Sequence, residues 1–208
     1  MNIIREACVG SVEQAMIAEK RKADRVELCS RLDLDGLTPD RKIIERTMNL
    51  LSIPVKVMIR PKSGNFIYSK QDILKMESEI DFCKKIGVSE VVFGMLNENS
   101  EVDIELASAI AKKAAPMDIT FHKAIDRVND IKHGLERLSN VKEITSILTS
   151  GGKDSALNGQ DIIKDIIKQF SSRFKIIAAG GITDENLNLV HSSIDSTEYH
   201  GKRIVGQL

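Results

Sequence analysis

Short runs of apolar and β-branched residues alternate along the chain with longer stretches in which apolar positions recur every three or four residues. The first pattern fits buried strands, and the second fits helices that bury one face. Strands are predicted over residues 3–8, 25–29, 55–59, 90–94, 118–122, 145–149, 175–179 and 196–200. Their starts recur roughly every 20 to 35 residues, the spacing of successive βα units. Between the third and fourth strands, Ile73, Met76, Ile80, Cys83 and Ile86 form a helical stripe, and Gly87 supplies a C-cap. Cys83 is read as a small core hydrophobe.

Helix starts carry their own chemistry. Ser11-Val-Glu-Gln14, Ser69-Lys-Gln-Asp72, Ser100-Glu-Val-Asp103 and Thr183-Asp-Glu-Asn186 each place a hydroxyl three residues before a side chain that can cap back. Thr38-Pro39 reads as an N-cap followed by proline at the first helical position.

Eight parallel strands joined by helical crossovers either close into a barrel or form an open sheet. An open dinucleotide-binding sheet would place Gly-x-Gly-x-x-Gly after the first strand, where the chain reads Cys8-Val-Gly10-Ser-Val. The expected fold is an α/β protein, a (β/α)8 TIM-type barrel forming a single domain over residues 1–208. Eight residues follow His200, so the barrel is expected to be incomplete at its C-terminal helix. The seam would be covered by a partner chain or left partly open.

Composition narrows the function. Thirty Lys+Arg balance thirty Asp+Glu without forming a basic stripe, which argues against a nucleic-acid partner. The start, Met1-Asn-Ile-Ile-Arg5-Glu6, lacks the apolar core of a signal peptide, and no apolar run reaches a membrane span, so a cytoplasmic location is expected. Cys8, Cys29 and Cys83 are widely separated and lack any Cys-x-x-Cys pairing, which disfavours disulfides and structural zinc.

In a TIM barrel the C-terminal strand ends form the active mouth. The first two strands end in the same Glu-x-Cys pattern, Glu6-Ala7-Cys8 and Glu27-Leu28-Cys29, and residues two apart on a strand share a face. The third strand adds Met58 and Arg60, with Arg60 able to clamp an anion or to pair with Glu27. The fifth adds Thr120 and His122, with Asp126 placed to hold the imidazole ring. Glycine turns follow the sixth and seventh strands, Ser150-Gly151-Gly152 and Gly180-Gly181, and their amides could cradle an anion. His133 and His191 are expected to be solvated on helices, and His200 to join the rim. The glutamates and thiols also fit a structural reading, as ion-pair members and filler.

These residues fall into stretches that resemble the copper homeostasis protein CutC family. They are Glu6-Ala-Cys8, Ala23-Asp-Arg-Val-Glu27-Leu-Cys29-Ser30, Gly36-Leu-Thr-Pro39, Met58-Ile-Arg-Pro61, Val92-Phe-Gly94, Thr120-Phe-His-Lys-Ala124, Leu148-Thr-Ser-Gly151, Gly180-Gly-Ile182 and Glu198-Tyr-His200. Lys62 and Lys123 stand where the family usually has arginine, which removes a planar, bidentate fork. The resemblance implies a barrel, often a homo-oligomer, that binds Cu(I) through Cys8 and Cys29. Soft thiolates suit that ion.

The residues themselves leave a second function open, an enzyme acting on a small anionic metabolite. Glu6 or Glu27 would be its base, His122 its acid and Arg60 its charge stabiliser, with Asp126 orienting His122 and the glycine turns holding the anion. An interaction scaffold is a third reading, and it leaves a charged mouth without a purpose.

Overall fold

The computed structural model describes residues 3–208. Eight parallel strands pair in sequence order and close on themselves. They are β1 (Ile4–Val9), β2 (Arg25–Leu28), β3 (Val55–Met58), β4 (Glu90–Phe93), β5 (Asp118–Phe121), β6 (Ile144–Thr149), β7 (Lys175–Ala179) and β8 (Glu198–Gly201). Each lies within two residues of its predicted span at either end. The helices are α1 (Val12–Lys20), α2 (Arg41–Leu50), α3 (Lys70–Lys85), α4 (Ile104–Ala114), α5 (Ile131–Leu138), α6 (Gln160–Phe170) and α7 (Leu187–Ile194). None is long and apolar enough to cross a membrane.

Strand alternation divides the side chains into two populations. Ala7, Val9, Val26, Val57, Val91, Phe93, Phe121 and Ala178 point outward into the main core beneath the helices. Cys8, Cys29, Met58 and Val92 form a small apolar cluster inside the barrel, and Leu148, Ile177 and Ala179 form another. On α3 the buried residues are Met76, Ile80 and Cys83, and Gly87 follows the helix at φ +80°, as the stripe predicts.

Capping holds in part. Ser11 accepts from Gln14 N, and Ser69 with Asp72 forms a reciprocal capping box. The cap of α4 is Asp103 rather than Ser100, which sits in a turn at φ +56°. The cap of α2 is Asp40 rather than Thr38, whose hydroxyl instead accepts the Arg60 amide at 2.7 Å. Thr183 and Asn186 do bond reciprocally, but as a turn that precedes α7.

Among the described residues no helix stands behind β8, as expected, yet the strand ring is closed rather than open. Residues 202–208 double back across the gap. Ile204 and Val205 are buried, Thr183 bridges Arg203, and the Arg21 guanidinium donates to Gln207 O at 2.6 Å.

A candidate metal and ligand site at the barrel mouth

The strand stagger fixes what meets what. Glu6 is level with Arg25 and His200 on its two neighbours, and Cys8 is level with Glu27. The two Glu-x-Cys patterns are therefore offset by one pleat, and their side chains lie at three depths, Glu6 lowest, Cys8 with Glu27 above it, and Cys29 above those.

The deepest layer is ionic. Lys56, 1% exposed, pairs with Glu6 at 3.0 Å and Glu90 at 2.7 Å, and donates to Thr120 Oγ1 at 2.9 Å. Arg25 pairs with both Glu6 and Glu198. Burial alone would raise the Glu6 pKa, but Lys56, the His200 hydrogen bond and Arg25 together hold it well below the usual carboxylate range. Glu6 is thus a sealed anion beneath the site. It does not line the cavity where the sequence placed it.

Above this layer lies a cluster that shares protons. His200 Nδ1 is 2.7 Å from Glu6 Oε1, and its Nε2 faces Glu27 Oε2 at 3.7 Å. Cys29 donates to Glu27 Oε2 at 3.4 Å, and Cys8 Sγ is 3.6 Å from the same oxygen. Burial pushes the Glu27 carboxyl up to about 8. The Cys29 hydrogen bond, against burial and aided by His200, holds the Cys8 thiol well below its ordinary value. The same contact and burial push Cys29 up. His200 is raised, because Glu27, Cys8 and Glu6 outweigh its burial. The two shifts run in opposite directions: the Cys8 thiol loses its proton more readily and the His200 ring takes one up more readily. One ligand atom each from Cys8, Glu27 and His200 lies within 4.8 Å of the others. Sequence reasoning placed His200 only at the rim. Its position one pleat above Glu198, level with Glu6, is the signal that could have promoted it.

This cluster floors a cavity of about 710 Å³ at the C-terminal strand ends. Of the residues expected there, Cys8, Glu27, Arg60, His122, Asp126, Gly152, Gly180 and Gly181 line it, whereas Glu6, Cys29, Ser150 and Gly151 do not.

Several expected partnerships are different. Arg60 does not meet Glu27. Its guanidinium stacks on Phe66 and donates to the carbonyls of Leu34, Asp35, Gly36 and Gly64, so it clasps two loops together. Asp126 does not hold the His122 ring. Its carboxylate accepts from Thr149 Oγ1 at 2.5 Å and from Ser150 N, Ser150 Oγ and Gly152 N at 2.9 Å each. Gly151 N donates to Thr149 Oγ1. The glycine cradle after β6 is thus filled by the protein's own carboxylate. His133 is exposed, but His191 is not simply solvated, because its Nδ1 lies 2.7 Å from the Tyr199 hydroxyl.

His122 is held by backbone. Its Nδ1 accepts from Ala124 N at 3.1 Å, which puts the ring proton on Nε2, and Nε2 has no partner among the described residues. Burial and the nearby Arg60 push its pKa down to about 3, so the ring is neutral. The close seat needs Gly94, where an added Cβ would lie 2.4 Å from Nδ1. Gly94→Ala is expected to displace the ring and to cost about 1–3 kcal/mol, read by thermal denaturation and by movement of the His122 ring resonances.

Residues 3–205 match the CutC family. The chain is 40% identical over 197 residues to the copper homeostasis protein cutC homolog of Homo sapiens, covering 95% of this chain and 72% of that protein. It is 37% identical to the family protein CutC of Histophilus somni, with coverage of 95% and 82%. A crystal structure of a copper homeostasis protein CutC from Streptococcus agalactiae superposes with a TM-score of 0.92 at 29% identity, covering 97% of this chain and 99% of that one. Phosphoribosylanthranilate isomerase from Thermotoga maritima, at 15% identity, a TM-score of 0.59 and coverage of 96% and 86%, shares the barrel fold alone. By sequence and structure together, the chain belongs to the CutC family.

Proposed function

We propose that this protein handles copper as Cu(I) at the cavity floor, with Cys8 as the principal ligand. The observation that carries the reading is the convergence of Cys8, Glu27 and His200 donor atoms within 4.8 Å at the base of an open cavity. Thiolate and imidazole are the donors a soft monovalent ion selects, and the carboxylate is the weakest of the three. Cys29 supplies a second thiol from behind Glu27, without reaching the cavity itself. This reading makes His200 a ligand beside the two cysteines and suits the reducing cytosol, where thiols stay free.

The test is competition of the purified protein against a Cu(I) chelator. Loss of a residue that only orients a ligand already costs 10–100-fold in affinity, so Cys8→Ser is expected to weaken binding by at least about 100-fold. Cys29→Ser and His200→Phe are expected to have smaller effects. Unchanged Cu(I) affinity in a Cys8→Ser, Cys29→Ser double variant would overturn the proposal.

A second reading, acid–base chemistry on a small anionic metabolite, is favoured by the space above the floor. A cavity of about 710 Å³ is of metabolite size rather than ion size. With Glu6 sealed, the base in this reading is the Cys8–Glu27–His200 cluster. His122, being neutral, acts as a hydrogen-bond donor rather than as an acid.

A further inference from the structure

The upper cavity has features that copper binding leaves unexplained. His122, 4% exposed, borders the cavity, and its buried ring N–H has no acceptor among the described residues. A buried donor left unpaired costs about 1–3 kcal/mol, a cost that an acceptor atom on a ligand would remove. Across the cavity, the turn after β7 carries Gly180 at φ +105° and Gly181 at φ +67°. Among the described residues, neither gives its N–H to a protein acceptor. Successive amides in such a turn form an anion-binding concavity. The turn after β6 shows how this mouth treats an anion, because there Asp126 takes the amides of Ser150 and Gly152. Arg127, Lys153 and Arg203 line the same cavity and form no ion pair among the described residues.

We infer that the upper cavity binds a small carbonyl compound carrying a terminal oxyanion. The Gly180–Gly181 turn with Arg203 and Lys153 receives the oxyanion, and the His122 Nε2–H donates to the carbonyl oxygen. The inference rests on the metabolite reading of the cavity and narrows its ligand class. A neutral imidazole suits a carbonyl, since it donates a hydrogen bond without bringing a charge that would bind any anion alike. The shared chemistry at the other end is an oxyanion, phosphate or carboxylate.

Calorimetric titration of the full chain with matched pairs separates the parts of the claim. One pair is dihydroxyacetone phosphate against glycerol 3-phosphate, the other is pyruvate against lactate, and inorganic phosphate gives the baseline. In the pair whose oxyanion fits, the carbonyl compound is expected to bind at least about tenfold more tightly than its alcohol, because a site built around a hydrogen bond rejects the analogue that cannot complete it. His122→Phe is expected to erase the preference, and Lys153→Ala with Arg203→Ala to weaken both members together. If His122→Phe fails to fold, the wild-type His122 Nε2–H proton resonance serves instead, and it should move downfield with the carbonyl member only. Equal affinity within each pair, or an unmoved resonance, overturns the carbonyl assignment while leaving a general anion site. No binding of any probe, phosphate included, overturns the metabolite reading itself.

Discussion

Lys56→Met is expected to lower the melting temperature by about 6–20 °C, since breaking a buried ion network by removing one partner costs about 3–5 kcal/mol, and each kcal/mol moves a chain of this size by about 2–4 °C. The reason lies in the company Lys56 keeps. Its ammonium, itself buried, is the counter-charge to both Glu6 and the partly buried Glu90, and it donates to Thr120. Methionine preserves the stem and removes the charge, so two carboxylates are left facing each other across the barrel interior. Arg25 still meets Glu6, which limits the damage on that side. Adding Glu90→Gln to Lys56→Met should recover part of the loss, because the orphaned charge goes with the residue that carried it. A melting curve unmoved by Lys56→Met would show that the layer carries little of the fold's stability.

The second large effect is a dependence on pH carried by one ring. In the unfolded chain His122 titrates near 6.5, whereas burial and Arg60 hold it down to about 3 in the folded protein. Between those values the unfolded state binds a proton that the folded state refuses. Stability therefore falls as the pH drops through that window, by on the order of 5 kcal/mol in total at about 1.4 kcal/mol per pH unit. Above pH 6.5 neither state is protonated and this contribution is constant. His122→Asn keeps an acceptor for the Ala124 amide and cannot titrate. Denaturant midpoints of the two proteins should accordingly differ in pH slope below 6.5 and run parallel above it, whatever the carboxylates common to both contribute. Parallel slopes throughout would mean that the ring is protonated in the folded state.

The barrel was legible from sequence because its signals are local. A β-branched run such as Val55 to Met58 and a stripe such as Met76, Ile80 and Cys83 announce their own burial. The identity of the mouth-lining side chains was also legible, since alternation along a strand assigns Cys8, Glu27, Met58 and His122 to the interior. What alternation does not contain is the stagger between strands. Glu6 and Glu27 look equivalent in their Glu-x-Cys contexts, yet pairing places Glu6 beside Arg25 and Glu27 beside Cys8. One became a structural anion and the other part of the cavity floor. Lys56, a lysine flanked by valines inside a strand, was the available hint of the deeper ionic layer, and it acquires meaning only once Glu90 and Glu6 are known to surround it. The roles of Arg60 and Asp126 depended on loops whose paths no periodicity encodes. Both spend their hydrogen bonds on the chain that frames the cavity.

Asp126 also limits where a guest can sit. Its carboxylate is held against those amides by the fold, so it competes as an intramolecular partner, at an effective concentration in the millimolar range or above. A free anion arriving at the β6 turn must evict that resident, whereas one arriving at the β7 turn meets no such rival. The pseudo-equivalent glycine turns thus break the mouth's symmetry, and in the proposed site a guest's charged end would be directed to the β7 side of the ring.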